Sequence, residues 1–392
     1  MVVFTITLCL LEITSRVFYD KPWVQGYTFD EITGTSLRPG TNGWWTREGR
    51  GFVEINSRGM RDNREYKHSP KDTVYRIAIV GDSYVEALQV NINETFWRRM
   101  EVILNSQCNN LKYKEFEVLP FGVSGHGPAQ HLLNIKHKIS RVNPDLVLVL
   151  FTPGNDFRNS VESLQNDPKR PYLVETSEYK KLYSWDLSFR EESFKLSTLG
   201  SILQFTGQSR ILSLIQEVIL RIRVALQSAP TVNNWNNISD FGDNYMYLPS
   251  EKLPQEWKKS RRVVEQIVSR MANLDESNYR IIGVIGTSGM QVHPSIDARN
   301  EFTKVLGVNN LEEPSNFFRQ ILQDGGIESI DLLPALSKVS IDNQIGMHGD
   351  APEWGGHWNS NGHFEVAKIL SKKVCASINS YDNQVEESTH LK

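Results

Sequence analysis

Short apolar runs recur along most of the chain and alternate with stretches in which apolar residues are three or four positions apart. The runs predict buried strands over Val74–Val80, Phe116–Phe121, Leu146–Phe151, Ile281–Ile285 and Ile327–Leu332. The stretches between and after them predict helices over Thr95–Asn105, Pro128–Ser140, Trp257–Met271, Ser315–Gln323 and Asn361–Ile378. Alternation of this kind favours a parallel sheet with helices on both faces.

The alternation is interrupted between Asp156 and Leu253, a stretch that is too long for a structureless loop. Helical spacing within it predicts helices over Leu199–Phe205 and Ile211–Leu226. Asn233–Asn237 and Tyr245–Tyr247 are typical of an exposed aromatic loop. We interpret residues 157–253 as a largely helical insertion that forms a cap beside the active site.

The chain begins with an apolar stretch, Val2–Leu11, which is shorter than the ~17 residues that span a bilayer. We expect residues 1–18 to be a truncated anchor or signal, or else a hydrophobic helix packed on the domain. Apolar residues have no regular spacing over residues 19–72. This predicts an irregular leader that can contain short β-strands. The main domain is then expected over 73–378, and a polar tail over 379–392.

Composition narrows the possible functions. The 392 residues are 39% hydrophobic and carry a formal net charge of -3, so no basic surface indicates a nucleic-acid partner. Three cysteines are too few for a disulfide framework. Cys108 and Cys375 could pair, but we expect two buried free thiols instead.

One serine follows the carboxyl end of a predicted strand, which is where active sites lie in α/β sheets. Ser83 follows the strand that ends at Val80 and precedes a helical stretch, in the order Gly81–Asp82–Ser83–Tyr84. A serine hydroxyl becomes a good nucleophile only when a base removes its proton and hydrogen-bond donors stabilise the oxyanion. The rest of the chain must therefore supply those partners.

Two loops at other predicted strand ends offer candidates for the oxyanion and its support. Asn155 could donate its side-chain amide to an oxyanion, and Asp156 could hold the loop through backbone hydrogen bonds. The glycine-rich loop Gly122–Pro128 would let backbone amides approach a ligand closely. Its spacing does not match a dinucleotide fingerprint, so no cofactor is expected.

The base is expected just before the last helix, where His357 can accept a proton at neutral pH. His363 has the alternative of packing at the helix start. A metal site built from Asp350, Glu353 and the two histidines lacks the spacing of a helical two-histidine site, so no metal is predicted.

Together, Gly81–Asp82–Ser83, the glycine loop, Pro153–Gly154–Asn155–Asp156 and the His357 segment resemble, in this order, the sequence blocks of the SGNH (GDSL-type) hydrolases. The resemblance covers roughly residues 74–378. It implies a flavodoxin-like three-layer α/β/α sandwich of about five parallel strands, with Ser83 as nucleophile and His357 as base. It also implies an oxyanion hole formed by the backbone amides of Ser83 and Gly125 and the side chain of Asn155, with Asp82 and Asp156 supporting the site. The leader and the glycine loop further resemble a bacterial subset associated with cell-surface polysaccharides.

The sequence departs from that family at the acid of the triad. Trp354 stands three residues before His357, where the family has an aspartate, and Gly355 follows it. Either Asp350 or Glu353 orients His357 from an extended loop, or the enzyme uses a serine–histidine dyad. We favour Asp350.

These observations lead to three hypotheses about function. The first is a serine ester hydrolase acting on O-acyl (acetyl) esters, of a small molecule or a carbohydrate, exported or anchored at a membrane by its N-terminus. The second is a polysaccharide O-acetyltransferase that uses the same site, because the same groups serve water and a sugar hydroxyl as acceptor. The third is a non-catalytic carbohydrate-binding or assembly protein on the same scaffold, with Trp44, Trp45 and Trp235 available to stack on sugar rings.

Overall fold

The computed structural model describes residues 2–24, 26–110, 112–177, 182–189, 209–227, 242–274, 279–349 and 356–390. Its central sheet has five parallel strands: β5 (Val74–Gly81), β6 (Glu115–Gly122), β7 (Leu146–Phe151), β10 (Arg280–Ile285) and β11 (Glu328–Asp331). Their spatial order is β11–β10–β7–β5–β6. This is the flavodoxin-like order of a doubly wound sheet, which the resemblance to the SGNH hydrolases implied.

Side chains alternate along the central strands, so that the sheet separates two hydrophobic layers. Ala78 and Val80 of β5 face one layer, and Ile77 and Ile79 face the other. The first layer is covered by α4 (Pro128–His137), α8 (Gln255–Ala272) and α10 (Glu313–Asp324). The second is covered by α3 (Phe96–Gln107), α11 (Leu333–Asn343) and α12 (Ser360–His390). The result is a three-layer α/β/α sandwich.

The remaining described helices and strands lie around this sandwich. The helices are α1 (Val2–Phe18), α2 (Ser83–Glu86), α5 (Pro153–Asn159), α6 (Glu162–Gln165), α7 (Arg210–Gln227) and α9 (Ile296–Leu306). The strands are β1 (Tyr27–Asp30), β2 (Gly34–Leu37), β3 (Asn42–Trp45), β4 (Gly51–Glu54), β8 (Tyr172–Ser177) and β9 (Leu182–Asp186). No helix in the described part of the chain is both long and apolar enough to cross a bilayer.

The leader is more ordered than its sequence suggests. It contains two antiparallel hairpins, β1–β2 and β3–β4. Arg61, which is only 1% exposed, joins the second hairpin to the main domain. Its guanidinium donates to the carbonyl of Phe52 on β4 (3.5 Å) and to those of Glu86 (2.9 Å), Ala87 and Val90 (2.5 Å), just beyond Ser83.

Several further expectations differ from the structure or lie outside it. Helix α12 continues to His390, through most of the segment expected to be a polar tail. Met246 and Tyr247, expected in an exposed loop, are buried against the first layer, because they belong to a short 3-10 helix, Gly242–Tyr247, that packs on the sandwich. The predictions for Leu199–Phe205 and Asn233–Asn237, which include Trp235, lie outside the described residues.

The expectation of two free thiols is wrong, because Cys108 and Cys375 form a disulfide. Cys108 caps the carboxyl end of α3 and Cys375 lies within α12, and these two helices pack side by side on the second layer. Residues 267 positions apart in the chain are thereby joined. Sequence spacing could not show this, because the contact depends on how the helices pack.

The disulfide gives a prediction about stability. Closing so long a loop restricts the unfolded chain, so replacing both Cys108 and Cys375 by serine should lower the free energy of unfolding by roughly 2–5 kcal/mol. Urea unfolding of oxidised protein measures the change. Cys9→Ser, at the exposed free cysteine, is the matched control and should have no effect. Three titratable thiols in the native wild-type protein would contradict the assignment.

Candidate active site

The carboxyl ends of β5, β6 and β7 bring the predicted site residues to one edge of the sheet. Gly81 at the end of β5 is level with Gly122 at the end of β6, and Val80 is level with Val149 of β7. The loops after these strands carry Ser83, Gly125 and Asn155. Parallel strands that end together present their following loops on one side, which explains this arrangement.

Ser83 begins helix α2, and Asp82 caps that helix by accepting a hydrogen bond from the Tyr84 amide. The Ser83 Oγ lies 2.7 Å from His357 Nε2. The geometry requires Nε2 to be the unprotonated nitrogen if it is to accept the serine proton. Nucleophile and base are thus within hydrogen-bonding distance without rearrangement.

His357 is held from its other side by Glu48. Its Nδ1 lies 2.6 Å from Glu48 Oε2, and its backbone amide donates to Glu48 Oε1 at 2.6 Å. Both carboxylate oxygens are therefore used, and they orient the ring with Nδ1 protonated and Nε2 facing Ser83. This is the arrangement of a serine–histidine–acid triad.

Glu48 comes from the leader, in the turn that joins β3 to β4, 309 residues from His357 in the sequence. This role for Glu48 was not predicted from the sequence. Asp350, Glu353 and Trp354 lie outside the described residues. In the described part of the chain, the position behind His357 that the analysis gave to Asp350 is taken by Glu48.

One local feature beside His357 is explained by Glu48. Gly356 has a φ of +86°, and a Cβ added there would lie 2.1 Å from Glu48 Oε1. A side chain at this position would thus collide with the carboxylate and would also be strained in the left-handed region. The glycine before His357 was the available signal that another group approaches the backbone there, although it could not say which group.

Burial and the charge of the partner shift the pKa values of His357 and Glu48 in opposite directions. Burial alone would lower the pKa of His357, but the hydrogen bond and charge of Glu48 outweigh it, and the pKa lies above its ordinary value. Burial would raise the pKa of Glu48, yet the bonds to His357 hold it below its ordinary value. Each group therefore stabilises the charged form of the other.

Three N–H groups after β5, β6 and β7 have no acceptor in the described part of the chain: the backbone amides of Ser83 and Gly125, and one hydrogen of the Asn155 side chain. The other hydrogen of that amide is donated to Asp82 Oδ2 at 2.7 Å, which orients Asn155. Gly125 has a φ of +79°, and its carbonyl accepts from Arg170 at 2.8 Å and from Asn159 at 3.1 Å. The expected oxyanion donors are thus present on loops held by polar side chains.

Two buried carboxyl groups support these loops. Asp82 also accepts from the Thr152 hydroxyl at 3.2 Å, and Asp156 accepts from the Thr152 amide at 2.7 Å. Burial raises the pKa of both, and for Asp156 the nearby charge of Asp82 adds to the effect. They connect the loop after β5 with the loop after β7.

The other histidines near the site have structural partners. His363 is fully buried, and its Nδ1 accepts from the Phe96 amide at the start of α3. His348 lies beside Tyr84, and burial lowers its pKa to about 4, so it is neutral at pH 7. Among the described residues, no group of three or more histidine, cysteine or acidic side chains could hold a metal ion.

A cavity of about 220 Å³ opens beside the triad. Its lining includes Tyr84 and Gly356, which are the chain neighbours of Ser83 and His357, and Asn155. The other lining residues are Thr152–Gly154, Asn244, Met246, Tyr247 and Thr287–Met290. It is smaller than the ~300–1,000 Å³ of pockets for drug-sized ligands, so it fits a small group.

No protein-family model and no curated protein matches this sequence. Among solved structures, the acetyl xylan esterase AlAXEase is similar, with 13% identity, a TM-score of 0.39, and coverage of 76% of this chain and 99% of that chain. A catalytic mutant of Axe2, an acetylxylan esterase from Geobacillus stearothermophilus, has 10% identity, a TM-score of 0.37, and coverage of 76% and 94%. A lipolytic protein of the G-D-S-L family from Veillonella parvula has 10% identity, a TM-score of 0.36, and coverage of 76% and 97%. Likeness of this extent carries no functional argument, so the proposal below depends on the geometry of the site.

The contact between Glu48 and His357 predicts a measurable change in proton affinity. Replacing Glu48 by glutamine removes the negative charge while burial remains, so the pKa of His357 should fall below its wild-type value. NMR titration of the labelled imidazole measures it. Glu54→Gln, at the far end of the β3–β4 hairpin, is the matched control and should leave the pKa unchanged. A His357 pKa that is the same in wild type and Glu48→Gln would exclude the contact.

Proposed function

We propose that this protein is a serine ester hydrolase that forms an acyl-enzyme on Ser83. The observation that carries the proposal is the continuous hydrogen-bonded chain from Ser83 Oγ through His357 to Glu48. The N–H groups of Ser83, Gly125 and Asn155 that have no acceptor among the described residues add support, since an oxyanion would need donors on the adjacent loops.

The reaction follows from the positions of the protons. His357 Nε2 takes the Ser83 proton while Oγ attacks the ester carbonyl carbon, and the carbonyl oxygen becomes an anion facing the N–H donors. When the intermediate collapses, the alcohol leaves with the proton from His357. Water then gives a proton to His357 and attacks the acyl group, and Ser83 recovers its proton as the carboxylic acid leaves.

The proposed substrates are O-acyl esters with a short acyl group such as acetyl, carried on a carbohydrate. The small cavity beside the triad supports the short acyl group. Hydroxyl and amide side chains of Asn244, Tyr247, Thr287 and Ser288 in its walls could hydrogen-bond a sugar. Trp44 and Trp45 are less available for stacking, because the Arg50 and Arg47 guanidinium groups lie over them at 4.3 and 4.5 Å.

The Glu48 contact also bears on the other hypotheses. The case for a non-catalytic scaffold depended on the missing acid, and a carboxylate hydrogen-bonded to His357 weakens it. Transfer to a sugar hydroxyl remains compatible with the same site. Disulfides persist in oxidising compartments outside the cytosol. The disulfide between Cys108 and Cys375 therefore supports the proposal that the protein is exported.

Replacing the nucleophile tests the proposal directly. Ser83→Ala should abolish hydrolysis of an aryl acetate and labelling by a fluorophosphonate probe, because no other atom takes the place of Oγ. Ser106→Ala, on the exposed face of α3, should retain both. Acyl esters longer than butyrate should react much more slowly if the cavity holds the acyl group. Continued labelling of Ser83→Ala would disprove the nucleophile assignment.

Adding a sugar alcohol to the assay shows which acceptor takes the acyl group. A hydrolase releases the acid as the main product at every acceptor concentration. An O-acetyltransferase would instead give mainly the acylated sugar. That result would contradict the proposed hydrolysis and assign acyl transfer to the protein.

The role of Glu48 gives a second kinetic prediction. Glutamine at this position could donate an N–H to His357 Nδ1 and so favour the tautomer in which Nε2 cannot accept a proton, lowering kcat by about 10²–10⁴-fold. The pH below which the residual rate falls should be lower in Glu48→Gln than in wild type, because a histidine with a lower pKa stays neutral at lower pH. Steady-state pH profiles measure both effects. Asp350→Asn and Glu353→Gln should stay near wild-type rates, and a large loss in either would transfer the role to that residue.

A further inference from the structure

Two amphipathic helices outside the sandwich expose rows of large apolar side chains. On α1, Val3, Ile6, Leu10, Ile13 and Val17 recur at three- and four-residue spacing and are each 53–77% exposed. This spacing places them on one face of the helix. Single exposed apolar residues are ordinary, but a continuous stripe of this length is not.

The opposite side of α1 is also partly apolar, since Phe4, Leu8 and Leu11 lie there and are exposed. Its contact with α7 is polar: Glu12 accepts hydrogen bonds from the Ser209 hydroxyl and the Arg210 amide, both at 2.8 Å, at the start of α7. Ser15 is buried. Helix α1 therefore contacts α7 through polar groups and leaves its apolar stripe uncovered by the described residues.

Helix α7 has an apolar stripe of its own. Leu212, Ile215, Val218, Ile219 and Ile222 lie on one side of it and are 41–54% exposed. Its other side, through Glu217 and Arg221, contacts the turn that carries Glu48. Glu217 pairs with Arg47 at 3.0 Å, and Arg221 donates to the Thr46 hydroxyl at 2.5 Å.

Positive charge collects where the two helices meet. Arg16, Lys21, Arg50 and Arg210 lie around this junction, against the carboxylates of Glu12 and Asp20, which leaves a surplus of two positive charges. The pKa of Lys21 is lowered by burial and then by the charges of Arg210 and Arg16, which shows that the three cations are near one another.

We propose that the stripes of α1 and α7 form a surface that lies on an anionic lipid bilayer. Apolar stripes bordered by basic residues are the signature of helices that lie in the membrane interface. The cations at the junction fit the negative head groups, and a second copy of this chain would bring its own cations against them. In this proposal the contact is made along the two helices.

The contact with lipid would also set the position of the active site relative to the membrane surface. Because α7 contacts Thr46 and Arg47, the two residues before Glu48, it would fix the distance between Glu48 and the lipid surface. An ester presented at that surface would meet the site without full release into water. The lipid contact does not depend on the proposed hydrolysis and can be tested in its absence.

The full chain is mixed with vesicles of phosphatidylcholine alone and with vesicles that also contain phosphatidylglycerol, and the bound fraction is measured by sedimentation. We expect strong binding to the anionic vesicles that weakens with salt. Ile215→Gln combined with Ile219→Gln should reduce it at least about tenfold, because both side chains would lose their apolar burial. The matched control combines Val102→Gln with Phe364→Gln, at positions 60% and 45% exposed on α3 and α12, and should bind as wild type.

The outcomes separate the possible occupants of this surface. No binding to either vesicle, or equal binding by wild type and the α7 variant, overturns the proposal. Self-association of the wild type that is lost in the α7 variant, without vesicle binding, assigns the surface to a second copy and also overturns it. Thermal unfolding of each variant shows that the fold is kept.

Discussion

The site depends on the approach of one carboxylate to one imidazole across nearly the whole chain. His357 follows the last strand of the sheet, and Glu48 lies in a hairpin before its first strand, yet they share two hydrogen bonds of 2.6 Å. Neither contact forms unless the leader is seated on the sandwich. The tautomer of the base, and with it the reactivity of Ser83, is thus decided by tertiary packing outside the sheet.

Arg61 shows how that packing is maintained. A guanidinium with almost no exposure is costly unless its donors are used. Here its two terminal nitrogens donate to carbonyl oxygens of β4, of the end of α2 and of the segment after α2, while Nε has no partner among the described residues. Burial lowers its pKa to about 10, which still leaves it charged at neutral pH. The Arg61 guanidinium therefore joins the hairpin that carries Glu48 to the turn that carries Ser83. This contact helps to fix the positions of the two residues relative to each other.

The sandwich could be predicted from the sequence because its signals are local. Buried strands such as Leu146–Phe151 are short apolar runs, and their boundaries agree closely with the observed strands. The same holds for Ser83 and His357, which stand at recognisable ends of strands and helices. Glu48 and the disulfide could not be predicted in this way, because each depends on a partner hundreds of residues distant. Helices α9 and α11 were also missed, since polar and charged residues separate the apolar ones along both.

The position of Glu48 changes what counts as the catalytic unit. A boundary at residue 73 separates the leader from the sheet on sequence grounds, because the strand pattern begins there. It would also remove the acid, the Arg61 contacts and the Tyr27 hydroxyl, which donates to Glu86 at 2.8 Å. Glu86 in turn accepts from the Ser124 amide at 2.6 Å, beside Gly125. The leader therefore supports both the base and the loop of the oxyanion donors, and the smallest unit able to perform the proposed chemistry includes it.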